Sequence, residues 1–139
     1  MQTMEKRRIL KYDSKISGKT VQVYIMVGAY QDNGRLYVVL INAENDELYL
    51  DLTTNLPKVL ADKTDAFISS WASSDNTLDF IKNNHLGEPL GYAVSSGYSK
   101  YPVYEFNEER LKELDPEGYA EFEKAYEEFN LVYSAENMD

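Results

Sequence analysis

The alternation of apolar and polar positions separates the first half of the chain from its end. Thr20-Val21-Gln22-Val23-Tyr24-Ile25-Met26-Val27 is rich in β-branched and aromatic residues and predicts a strand. Gln31-Asp32-Asn33-Gly34-Arg35 follows, and its Asn-Gly pair supplies the positive-φ positions of a tight hairpin turn. Leu36-Tyr37-Val38-Val39-Leu40-Ile41 is the expected return strand, residues 42–47 a second turn, and Leu48-Tyr49-Leu50-Asp51-Leu52 a third, alternating strand. Ala66-Phe67-Ile68-Ser69 predicts a short fourth strand. The polar loop Ser73-Ser74-Asp75-Asn76 can cap a helix from about Thr77 to His85, with Leu78 and Ile81 on one face and Gly87 as its stop. Gly91-Tyr92-Ala93-Val94 and Tyr101-Pro102-Val103-Tyr104-Glu105-Phe106 read as extended, and Pro102 places the second at a sheet edge or at its own start.

The period changes from two to about 3.6 near residue 107. Asn107 is an expected N-cap with Glu108 and Glu109 in the first turn, and Phe106 and Leu111 have the spacing of a hydrophobic staple. Asp115-Pro116 opens a second helix, a cap followed by proline at the first helical position, with Leu114 and Tyr119 as its staple pair. Tyr119, Phe122, Tyr126 and Phe129 then recur on one face. Strands followed by helices, without regular βαβ alternation, predict an α+β fold with a mainly antiparallel sheet. It is built on the N-terminal three-strand meander, one short middle helix and two C-terminal helices. The 139 residues suit a single domain over 1–139, with a basic N-terminal arm (1–19) and an acidic helical part (107–133).

Charge sharpens that division. The chain carries 24 acids against 14 bases, a net charge of −10. Residues 1–104 hold 11 bases and 12 acids, whereas residues 105–139 hold 3 bases and 12 acids, a local net of −9. The first 20 residues run the other way, with six bases and two acids. An excess this large opposes a whole-surface grip on nucleic acid and makes the molecule electrically lopsided.

The residues that carry most catalytic chemistry are scarce. There is no cysteine and one histidine, His85, which excludes a His/Cys metal site and most activated nucleophiles. His85 falls where it would complement a helix dipole. Asn42 to Glu47 resembles a calcium loop only superficially, because Glu47 stands where the sharp turn requires glycine. No nucleotide-binding glycine loop or nucleophile elbow occurs, and no cofactor is expected. The basic N-terminus lacks the apolar stretch of a secretory signal, so a cytoplasmic location is expected, with no membrane partner.

Two surfaces remain as candidates. On the last helix Glu117, Glu121, Lys124 and Glu128 align opposite the Tyr/Phe stripe, flanked by Glu123 and Glu127. Glu117–Glu121 and Glu123–Glu127 are like-charge i,i+4 pairs, each unfavourable by roughly 0.2–0.5 kcal/mol. Glu127 and Glu128 also face the negative end of the dipole, at about 0.3–1 kcal/mol each. Such a pattern serves either as a solvated face or as a negative stripe offered to a basic groove. The second surface is the Tyr-rich segment from Gly91 to Tyr104, where Tyr98 and Tyr101 could make recognition contacts or pack a small core.

The stretches Asp51-Leu52-Thr53-Thr54-Asn55-Leu56, Ala66-Phe67-Ile68, His85-Leu86-Gly87-Glu88-Pro89-Leu90-Gly91 and Asp115-Pro116-Glu117-Gly118-Tyr119 carry a family resemblance. Its most specific block is Ser96-Gly97-Tyr98-Ser99-Lys100-Tyr101-Pro102-Val103-Tyr104-Glu105-Phe106. Over roughly residues 20–130 the chain resembles small uncharacterised proteins, a domain of unknown function, carried on conjugative and integrative elements of Gram-positive gut bacteria. Members often have Cys where this chain has Ser99. The resemblance implies a mobile-element context and no catalytic residues.

The resulting expectation is a non-enzymatic accessory protein of a mobile genetic element. Glu117, Glu121, Glu123, Glu127 and Glu128 would present a DNA-mimicking field to a basic host protein or element-encoded protein, with Tyr98 and Tyr101 as a neighbouring contact. Two alternatives stand beside it. One is a weak single-stranded nucleic-acid binder using Lys6, Arg7, Arg8 and Lys11 with the tyrosines. The other is a carboxylate-based hydrolase, which requires a cleft holding two acids.

Overall fold

The computed structural model describes residues 8–69 and 75–136, with side chains as far as Leu131. Strands β1 (Leu10–Asp13), β2 (Thr20–Ala29), β3 (Leu36–Asn42) and β4 (Glu47–Asp51) form one antiparallel sheet in sequence order. Strands β5 (Thr53–Thr54), β6 (Asp65–Ile68), β7 (Gly87–Ser96) and β8 (Ser99–Phe106) form a second, in the order β5-β6-β8-β7. Helices α1 (Thr77–Asn83), α2 (Glu108–Leu114) and α3 (Pro116–Glu136) complete an α+β architecture with two antiparallel sheets.

Burial follows the sequence pattern. On β2, Val23, Ile25 and Val27 are buried while Gln22 and Met26 are exposed, the period of two that puts alternate side chains on opposite faces. On β3 the run from Val38 to Ile41 is buried throughout, so this strand is covered on both sides. The expected three-strand meander is present, and it gains an edge strand from within the stretch read as a basic arm. Leu10 pairs with Val23 and Tyr12 with Val21. Lys11 and Asp13 face out, whereas Tyr12 is fully buried. Burial pushes the Tyr12 hydroxyl up to about 12. That hydroxyl lies 2.8 Å from Thr77 Oγ1 and donates to Asp75 Oδ2 at 3.1 Å. Asp75 also accepts from Ser14 Oγ at 2.9 Å and from the Lys15 and Ile16 amides at 2.6 and 3.2 Å. One carboxylate thus ties the turn after β1 to the start of α1.

The β2–β3 connection falls at the expected residues 31–35, but its Asn-Gly pair does not supply two positive-φ positions. Tyr30 N donates to Arg35 O, Gly34 N donates to Tyr30 O, and of the Asn-Gly pair only Gly34 has positive φ, at 70°. Asn33 Oδ1 instead accepts from the Arg35 amide, and its Nδ2 donates to Asn55. A Cβ on Gly34 would stand 2.9 Å from the Ala125 carbonyl oxygen, so α3 presses closely on this loop.

Leu52, fully buried, is the corner where the chain changes sheets. Its amide donates to Val38 O and its carbonyl accepts from the Ser69 amide. Of the expected cap on α1, Ser73 and Ser74 lie outside the described residues, and Asn76 makes no side-chain cap bond. The helix stops earlier than expected, with His85 rather than Gly87 in the left-handed conformation (φ 58°). His85 N donates to Lys82 O and Leu86 N to Ile81 O, the paired bonds of a Schellman ending. Gly87 has a different task. A Cβ there would stand 2.7 Å from Glu105 O, so its absence lets β7 lie against β8.

The Asn107 cap forms as expected, accepting from the Arg110 amide. Phe106, Leu111, Leu114 and Tyr119, the residues of the two expected staples, are all buried in the core. No helix among the described residues is long and apolar enough to cross a membrane.

Candidate functional site

The orientation of α3 is fixed at its first turn. Asp115, only 4% exposed, accepts from the Gly118 amide at 3.1 Å through Oδ1, the geometry of an N-cap. Its Oδ2 accepts from the Val27 amide on β2 at 2.8 Å. The same carboxylate therefore caps the helix and fastens it to the sheet. A Cβ on Gly118 would collide with both Asp115 Oδ2 and the Val27 carbonyl, so glycine is what permits this approach. Tyr119 and Phe122 then enter the core, with ring centroids 5.4 Å apart. Tyr126 is half-buried and Phe129 is 42% exposed, so the apolar stripe fades towards the C-terminus.

With that face committed, Glu117, Glu121, Glu127 and Glu128 are exposed, and none of them makes an ion pair among the described residues. Glu123 departs from the expected set. It is half-buried and bonds Lys63 Nζ at 2.8 Å, which raises the pKa of that lysine against the opposing effect of burial. The remaining pairs involve α2: Glu113 with Arg8 and Arg110, and Lys112 with Glu108 and Glu109. Arg8 thus neutralises Glu113 rather than the α3 row; Lys6 and Arg7 lie outside the described residues.

Tyr98 and Tyr101 belong to a different feature. Strands β7 and β8 form a hairpin whose far part, Ala93–Ser96 against Ser99–Pro102, extends past the last pair with β6 at Val103. Gly97 (φ 62°) turns its tip, Tyr98 is fully exposed there, and Tyr101 is half-buried opposite Val94. Helix α3 packs on β2, β3 and α2, whereas the hairpin packs on β6 and α1. The two candidate surfaces therefore rest on different sheets, and the packing gives no support to Tyr98 and Tyr101 as neighbours of the acidic row.

The sequence did not point to a groove of about 820 Å³ between α1, the proximal β7–β8 pair and the start of α2. Asp79 and Lys82 reach it from α1, Glu88 and Glu105 from the strands, and Glu108 from α2, with Tyr104 buried in its lining. Glu88 and Glu105 are direct cross-strand partners, and like charges so placed repel. Burial, then the charges of Asp79 and Glu88, raise the pKa of the Tyr104 hydroxyl. Its lining comes from three segments far apart in sequence, so no local motif could reveal it. No group of His, Cys, Asp and Glu suited to a metal ion occurs among the described residues.

A search of curated proteins and a search of solved structures gave no match. A family model does match, over residues 24–126, from within β2 to the middle of α3. The chain therefore belongs to the family described as "Domain of unknown function (DUF4313)".

Proposed function

We propose that the protein is a non-enzymatic accessory factor of a mobile genetic element that works by contact with a basic protein surface. The mobile-element context rests on the sequence resemblance. The contact surface rests on one observation: Glu117, Glu121, Glu127 and Glu128 stand exposed and unpaired on a helix whose opposite side is locked to the sheet. From Glu117 to Glu128 the helix rises about 16 Å, so the four carboxylates follow one another at about 5–6 Å on average, with the exposed Lys124 among them. A single DNA strand carries one per about 3.4 Å, so the row presents a sparser line of negative charge of the same sign. The Glu117–Glu121 i,i+4 repulsion opposes this clustering, while the dipole favours only Glu117, in the first turn.

The test compares two variants of equal net charge. One replaces Glu117, Glu121, Glu127 and Glu128 with glutamine; the other neutralises Asp32, Glu44, Glu47 and Asp62, exposed acids elsewhere. Each is immobilised and challenged with bacterial lysate, and bound protein is eluted with a salt gradient. Loss of a salt-sensitive partner from the first variant alone supports the reading; equal loss from both refutes it. A single-stranded oligonucleotide shifted at low salt would instead favour nucleic-acid binding through Lys11, Tyr98 and Tyr101.

A further inference from the structure

The groove between α1 and the β7–β8 pair has features that the acidic row lacks: a concave volume, apolar residues among its carboxylates, and a tyrosine hydroxyl without a hydrogen-bond partner among the described residues. Tyr104 is only 8% exposed and lines the groove, yet its hydroxyl makes no hydrogen bond among the described residues. The ring is packed while the residue lines the groove, so its hydroxyl is available to a group bound there. The cross-strand partner of Tyr104 is Pro89, next to Glu88, and both Glu88 and Asp79 line the same groove. Neither makes an ion pair among the described residues. Leu78 and Pro89 contribute apolar surface beside them.

Two carboxylates accept hydrogen bonds only, and a neutral phenol can accept one as well. The complement of this set is a positively charged group rich in N–H donors and borne on an apolar stem. Lys82 adds one positive charge at the α1 wall, against the three carboxylates of Asp79, Glu88 and Glu105; the fourth, Glu108, is paired with Lys112. The balance remains strongly in favour of a cation. A planar guanidinium answers several acceptors at once, where an ammonium answers them as a point charge.

We infer that this groove is a binding site for an organic cation of the guanidinium or alkylammonium class, held by Asp79, Glu88 and the Tyr104 hydroxyl. It lies apart from the acidic row on α3 and does not depend on that row being functional. The chemistry is shared by free guanidine or amine metabolites and by an arginine side chain on a peptide, and the test separates them.

The experiment is an amide-detected NMR titration of the full chain at low salt. The probes are agmatine, the blocked tripeptide acetyl-Gly-Arg-Gly-amide, and inorganic phosphate as the anionic control. Saturable shifts at Asp79, Gly87, Glu88 and Asn107 with either cation, and none with phosphate, support the site. Tighter binding of agmatine points to a free metabolite and tighter binding of the tripeptide to a peptide. Asp79→Asn and Glu88→Gln should each weaken binding about five- to ten-fold, and Tyr104→Phe about three-fold or more. Glu44→Gln, on the β3–β4 turn, should leave it unchanged. Because Tyr104→Phe removes only an unbonded hydroxyl, its melting temperature should match the parent. Shifts with phosphate, shifts confined to α3, or equal weakening by Glu44→Gln would overturn the assignment.

Discussion

Replacing Asp115 with alanine should cost more than any other single change at the surface of α3. Two contributions add. The helix loses its N-cap bond to the Gly118 amide, which is worth about 1 kcal/mol. The Val27 amide, on a residue only 5% exposed, loses its acceptor and stays buried, which costs about 1–3 kcal/mol. The sum is about 2–4 kcal/mol, a large share of the 5–15 kcal/mol typical of a domain. Asp115→Asn should cost about half as much, because its amide must turn a donor toward one of the two backbone N–H groups. Urea unfolding followed by circular dichroism measures both, and hydrogen exchange should show the Val27 amide losing protection in Asp115→Ala. A loss below about 0.5 kcal/mol with Val27 protection intact would refute the reasoning.

The remaining predictions concern neighbouring devices. Gly118→Ala should destabilise by about 1–3 kcal/mol in the same assay, although alanine is the better helix former, because its Cβ meets the Val27 carbonyl. His85→Gly should stabilise by about 0.5–1 kcal/mol, since it relieves a non-glycine residue held at φ 58°; a thermal melt reads the gain. Burial alone would raise the pKa of Asp75, but its hydrogen bonds from Ser14 and the Lys15, Asn76 and Ile16 amides outweigh that and lower it. A depressed carboxyl contributes stability above its unfolded value, about 3.9, and loses it as pH falls through the folded value. Asp75→Asn should therefore be less stable than the parent at pH 7 and lose less on acidification from pH 4 to pH 2, measured as urea midpoints.

Where local pattern decides structure, the chain was legible. Strands β2, β3 and β4 follow from their β-branched, aromatic and alternating runs, and the Asn107 and Asp115-Pro116 caps follow from residue type. The strand β1 was hidden by its setting: Leu10 and Tyr12 alternate with Lys11 and Asp13 inside a run dominated by charge. The end of α1 was misread because the left-handed position fell to His85, while Gly87 serves strand packing instead. The division into two sheets and the order β5-β6-β8-β7 depend on pairings between distant segments. Glu123 could be placed on a helical face from sequence, but its engagement with Lys63, sixty residues earlier, could not. The groove at Tyr104 was illegible for the same reason.

The projecting β7–β8 hairpin also offers a practical opening. The chain contains no thiol, and Tyr98 sits at the hairpin's outermost point with its side chain in solvent. A single Tyr98→Cys exchange would give the molecule one addressable position, well away from the buried core. A fluorophore placed there would report, through its emission and tumbling, whether anything in a cell extract closes over that end of the protein.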